Sequence, residues 1–139
     1  MNFVLAILAL AVSTYVALGF FKAGRFKAFS PRETLLAAGF GWVEKLPFGV
    51  VRLIAWLEIL GAVGIVLAPL AAYIIPGFAW AQLIGFLAAD GLALTMVVAA
   101  LMHIARGEFK YTWKANLGLL ASSLVALALQ MSVTVPLFS

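Results

Sequence analysis

Four apolar runs, at about 3–21, 48–68, 78–102 and 113–135, decide what this chain can fold into. Each holds about 20 residues, the length a helix needs to cross a hydrocarbon core of about 30 Å at 1.5 Å per residue. The chain is 66% hydrophobic and 10% charged over 139 residues, whereas soluble domains run at about 45–50% apolar and about 25% charged. That excess has no water-soluble core of this size to hide in. The expected fold class is therefore all-α: one domain, residues 1–139, with four transmembrane helices in a bundle. The first run has no positively charged leader, and its apolar stretch exceeds the usual 7–15 residues of a signal peptide, so it is read as a span.

The positive charges are unevenly placed. Lys22, Arg25, Lys27, Arg32, Lys45 and Arg52 lie in or beside the first connection, and Arg106, Lys110 and Lys114 lie in the third. The two tails and the second connection, about 69–77, carry none. The positive-inside rule predicts a multi-pass protein of the cytoplasmic (inner) membrane, with both termini outside and connections one and three in the cytoplasm. Trp42, Tyr111 and Trp113 mark the cytoplasmic interface, Tyr73 and Trp80 the outer one. Arg52 is expected to snorkel to the cytoplasmic interface. Trp56 and Tyr15 lie deeper than such belts explain. In the first connection, Ser30-Pro31-Arg32-Glu33 has the form of a capping box. Leu35, Leu36, Gly39, Phe40 and Val43 then form a rough helical stripe. A short amphipathic interfacial helix is predicted over about 31–45.

Several function classes are excluded. Without cysteine there is no disulfide, redox dithiol, thiolate metal site or iron–sulfur cluster. One histidine, His103, cannot furnish a bis-histidine haem site. No metal-ligand spacing occurs, and no nucleophile–histidine–acid set lies at matching depth. Gly39-Phe40-Gly41 lacks the rest of any phosphate loop. No basic patch calls for nucleic acid. No catalytic residue, metal or covalent cofactor is assigned, and activity of the chain on its own is not expected. Gly118, Ser122 and Ala126, and Gly61, Gly64 and Ala68, are small residues at helical spacing; they predict close packing within the bundle, with a homodimer as the alternative.

The polar residues inside the spans carry the functional argument, because ionisable groups there cost about 2.5–3.5 kcal/mol each at mid-depth. Glu58 is 10 residues past Phe48 and Asp90 is 12 past Phe78, so the carboxyls lie about 15 and 18 Å into their helices, near the midplane. Arg52 is turned about 240° from Glu58 and is no partner on the same helix. His103 lies about 20 Å from Asp90 along the helix, at the cytoplasmic mouth. With no basic residue at the depth of the two acids, at least one of them is expected to be protonated at neutral pH. Glu58, Asp90, Asn116 and His103 are the candidate ligand-binding residues. Asn116, Ser122, Ser123 and Gln130 are expected to hydrogen-bond between helices, with Asn116 the best placed to line a pocket.

The chain also resembles the DoxX-like family of small four-helix membrane proteins. The resemblance is carried by Gly41-Trp42; by Glu58, Gly61 and Gly64 in a Glu-x-x-Gly-x-x-Gly stretch followed by Pro69; by the run from Gly91 to Met96; by His103-x-x-Arg106-Gly107-Glu108; and by Asn116 and Leu119-Leu120. It covers about residues 40–125. It implies relatives among membrane subunits of a thiosulfate:quinone oxidoreductase and partners of membrane redox complexes. More distantly it implies a likeness to the sigma-2 receptor and sterol isomerases, which hold apolar or cationic amphiphiles near buried acids. It also implies a small apolar residue where this chain has Asp90, so Asp90 is a departure. Three readings stay open. The chain binds a quinone, isoprenoid or lipid beneath Glu58. It is a membrane anchor or assembly partner of a soluble or membrane oxidoreductase, docking through the basic segment 22–45. Or it is an isomerase using Glu58 and Asp90 as acid and base.

Overall fold

The computed structural model describes residues 2–139, and all regular structure among them is helical. Four long helices, α1 (Phe3–Phe29), α3 (Phe48–Ile74), α4 (Ala81–Ala105) and α5 (Phe109–Phe138), are each long and apolar enough to cross a membrane. A short helix α2 (Arg32–Ala37) and a 3₁₀ turn, Gly41–Lys45, lie between the first two. Twenty-seven residues in α1 and 27 in α3 correspond to about 40 Å of helix, more than the hydrocarbon core requires. The helices therefore run past the apolar segments that announce them. The extension matters most in α1, which continues from Phe21 to Phe29 and so keeps Lys27 on the helix.

Each long helix packs on two neighbours, in the ring order α1, α3, α4, α5. Val16, Phe20, Ile65, Leu92, Met96 and Ala126 meet at its centre. The ring is not uniform along its length. From the middle to the end away from the basic connections, glycines on α3 and α4 lie against side chains of the facing helix. A Cβ on Gly61 would lie 2.7 Å from the Leu92 side chain, one on Gly64 3.3 Å from Ala88, and one on Gly85 would run into the Pro69 ring. Towards the basic end residues of α3 and α4 line a cavity.

Proline inside a helix removes one N–H, so the carbonyl four residues earlier loses its partner. For Pro69 that carbonyl belongs to Ile65. The side-chain amide of Gln130 on α5 donates to it at 3.2 Å, and also donates to Ser13 Oγ of α1 at 3.0 Å. Gln82 of α4 completes the cluster. It donates to Gln130 Oε1 and to Thr134 Oγ1. Four helices are thus tied by one buried polar knot, a strong device where no water competes for the bonds. Gln130 is the interhelical partner that the sequence predicts. Ser122, Ser123 and Asn116 are not: each bonds the carbonyl four residues back on its own helix.

The first connection differs in extent from the expected 31–45 helix. Ser30 is not the N-cap of α2; its backbone N–H closes the last turn of α1 on Phe26, and α2 starts at Arg32 with no side-chain cap. Gly39 then takes a positive φ of 93°, which breaks the segment before the 3₁₀ turn. Arg32 reaches the carbonyls of Val43, Glu44 and Leu46 and holds the two pieces together.

Candidate functional site

Gly24 allows the first contact of the site. Without a side chain it lets α1 lie against α3 where a Cβ would be 2.9 Å from the Ala55 carbonyl and 3.3 Å from Glu58 Cβ. One turn further on, Lys27 faces Glu58. Side chains lean toward the N-terminus of their own helix, and the two helices are antiparallel. Lys27 therefore leans away from its helix end into the bundle, while Glu58 leans toward the basic end, and the two meet. Nζ lies 2.7 Å from Oε1 and 2.6 Å from Oε2, with side chains 8% and 6% exposed. Both carboxylate oxygens are thus within hydrogen-bonding distance of the ammonium. Both charges lie far from solvent, in a pair that is net neutral.

This corrects the expectation that no basic residue reaches the depth of Glu58. The partner was on the stretch of α1 beyond the apolar run. Two further groups fix it. Arg52, half-buried, donates to the Lys27 carbonyl at 2.8 Å and stacks on Phe48 at 4.3 Å, so it clamps the end of α1. The Trp42 ring lies 6.0 Å from Lys27 Nζ, within cation–π range. Trp42 is 8% exposed and packed with Leu35, Val43 and Val51. It is an inner wall of the basic end, where the sequence suggests a lipid-facing belt residue, because the 3₁₀ turn folds back over the bundle. Trp113 does remain exposed.

Below Trp42 lies a cavity of about 600 Å³, walled by all four long helices. Its polar lining is Lys27, Glu58, Thr95, His103 and Asn116; the rest is apolar, with Phe20, Trp42, Met96 and Met102 prominent. Leu57 on α3 and Leu94 and Val98 on α4 line it too and are 57–64% exposed, so the cavity opens sideways between α3 and α4. Another hollow, of about 490 Å³, lies between α1 and α5. It is an apolar groove on the outer surface, and the hydroxyl of its Ser122 is engaged by Gly118. The chemistry is in the first cavity.

At the mouth, His103 Nδ1 is 3.0 Å from Glu108 Oε2, and Arg106 Nε donates to Glu108 Oε1 at 2.9 Å. Gly107, at φ 69°, makes the reversal that places Glu108 back over His103. Hydrogen bonds from His103, then from Arg106, hold the Glu108 carboxyl below the usual glutamate value. A Cβ on Gly41 would stand 2.9 Å from Arg106 Nη2, so the two basic connections touch above the cavity.

Three of the four candidates, Glu58, His103 and Asn116, are thus brought together. Asp90 is not: it lines neither hollow, and its side chain is half-buried on α4. No cluster of three or more metal-ligating side chains occurs among the described residues. Sequence reasoning missed Lys27, which reads as one more interfacial charge, and Gln82, which reads as a polar residue at a span entrance.

The model of the DoxX-like family matches residues 11–127, and the chain belongs to that family. No curated protein and no solved structure matches it.

Proposed function

We propose that this DoxX-like membrane protein holds a small apolar molecule, of the quinone, isoprenoid or lipid type, in the cavity beside the Lys27–Glu58 pair. One observation carries the reading. An apolar chamber of about 600 Å³ ends on a few convergent polar groups, Lys27, Glu58, His103 and Asn116. Ligand sites are typically about 300–1,000 Å³, mostly apolar, with a small number of polar groups that orient the ligand. The seam between α3 and α4 gives a lateral route from the membrane. With the basic connections in the cytoplasm, that route opens to the inner leaflet of the cytoplasmic membrane.

The test is native mass spectrometry of gently extracted protein, wild type against Ala99→Phe, which fills the chamber from α4. Wild type should carry a co-purified adduct that the variant lacks while keeping its helical circular dichroism. An adduct unchanged in Ala99→Phe, or none on the wild type, refutes the reading.

A second reading, a membrane anchor or assembly partner of an oxidoreductase, is favoured by the exposed Lys22, Arg25 and Lys45. It is weakened by Lys27 and Arg32 being turned to internal partners. The two-acid isomerase has no support in the geometry, since Asp90 does not line the cavity that holds Glu58.

A further inference from the structure

We infer that the cavity selects a neutral amphiphile whose head group is a hydroxyl. This rests on the binding reading above and names its ligand class.

The polar wall has a definite hydrogen-bonding capacity. Asn116 donates through Nδ2 to the Thr112 carbonyl at 3.1 Å. A carbonyl only accepts, so the amide cannot be turned the other way. Asn116 Oδ1 is therefore the end left for the cavity. His103 faces the Glu108 carboxylate through Nδ1. A carboxylate also only accepts, so Nδ1 carries a proton and that side of His103 is committed to Glu108. Glu58 Oε2 already lies 2.6 Å from the Lys27 ammonium. Thr95 gives its hydroxyl hydrogen to the Gly91 carbonyl at 2.8 Å and presents lone pairs. Asn116 and Thr95 of the lining thus offer acceptors. The donors on the same wall are the indole N–H of Trp42 and the Lys27 N–H not taken up by the two Glu58 oxygens.

Buried acceptors left unpaired are costly, at about 1–3 kcal/mol each. A ligand that fits must bring a donor. An ether or ketone brings none. An ammonium head would add a second cation beside Lys27, and a carboxylate would add a second anion beside Glu58; the closed, net-neutral ion pair favours neither. A hydroxyl on an apolar body donates to Asn116 Oδ1 and can accept in return from Trp42. Long-chain and prenyl alcohols, phenols and acylglycerols share this chemistry.

The test uses Trp42 as the reporter. In a background of Trp56→Phe, Trp80→Phe and Trp113→Phe, the full chain is placed in nanodiscs of unbrominated lipid. It is titrated with a terminally brominated long-chain alcohol, its methyl ether and the matching methyl ketone, and quenching of Trp42 emission is read. The alcohol should quench saturably at about tenfold lower concentration than the ether or ketone, the size of one buried hydrogen bond. In Asn116→Ala that preference should fall to about threefold or less, with the ether unchanged. Equal half-saturation for all three probes, or tighter ether or ketone, overturns the hydroxyl assignment and leaves the binding reading standing. A tenfold preference that survives in Asn116→Ala overturns the role given to Asn116. No saturable quenching by any probe overturns the binding reading itself.

Discussion

Replacing Lys27 with methionine tests whether the ion pair is a closed unit on which the basic end depends. Methionine keeps the length and apolar bulk of the lysine stem and removes only the charge. Glu58 is then left 6% exposed with no cation and no aligned hydrogen bond. Breaking a buried pair from one side costs about 3–5 kcal/mol. An independent bound gives a similar figure: neutralising a solvated glutamate at pH 7 costs about 3.7 kcal/mol, from about 2.7 pH units at 1.36 kcal/mol each. The reciprocal change, Glu58→Met, strands the ammonium and should cost a comparable amount. The double variant strands nothing. It should lie within about 1 kcal/mol of wild type or above it, as apolar replacements of buried pairs often do. The assay is a double-mutant cycle on reversible unfolding in mixed micelles, followed by circular dichroism, with a coupling energy of several kcal/mol expected. Additive single effects, or a Lys27→Met protein as stable as wild type, would show that the pair is exposed to water or polar headgroups and that the described burial is wrong.

Two other perturbations probe the rest of the bundle. Gln130→Leu removes three side-chain hydrogen bonds that reach α1, α3 and α4; at about 0.6 kcal/mol each, the average between membrane helices, it should cost about 2 kcal/mol in the same unfolding assay. Glu108 has a depressed carboxyl value, so it binds protons less readily in the folded protein. Its contribution should be complete above the usual value of 4.5 and fade as pH falls through the lowered one. An acid titration of wild type should show that loss below pH 4.5, and Glu108→Gln should lose less stability across the same window than wild type.

Much of the architecture is legible in the sequence, because an apolar run of 20 residues has few other destinations. The helix ends are not. Hydropathy marks where lipid stops, whereas a helix stops where its backbone bonds find other partners, and α1 continues through Lys22 and Arg25 to Phe29. That gap hid the partner of Glu58: Lys27 lies 31 positions away in the chain, and only antiparallel packing at Gly24 brings them together. Glu58, His103 and Asn116, which stand out as polar groups inside apolar runs, all line the cavity. Asp90 stands out equally and is not part of the cavity, since depth along a helix says nothing of the side on which a residue lies. Ser122 and Ser123 were misassigned for a related reason. A short hydroxyl side chain can reach the carbonyl of its own helix four residues back as readily as another helix, and spacing does not distinguish the two.

The knot around Gln130 also sets an order of events. A chain made from its N-terminus delivers helices in sequence, and membrane helices associate after they insert. Ser13, the Ile65 carbonyl and Gln82 all precede Gln130, the first of them by 117 positions. Because Pro69 cannot supply the missing N–H, the Ile65 carbonyl waits for a donor that arrives only with the last helix. Until α5 is in place, three helices carry unmatched polar groups in lipid, although Lys27–Glu58 and the glycine contacts already set their pairing. Truncation before residue 130 should therefore leave inserted, paired helices that a membrane quality-control protease would recognise by those unsatisfied groups.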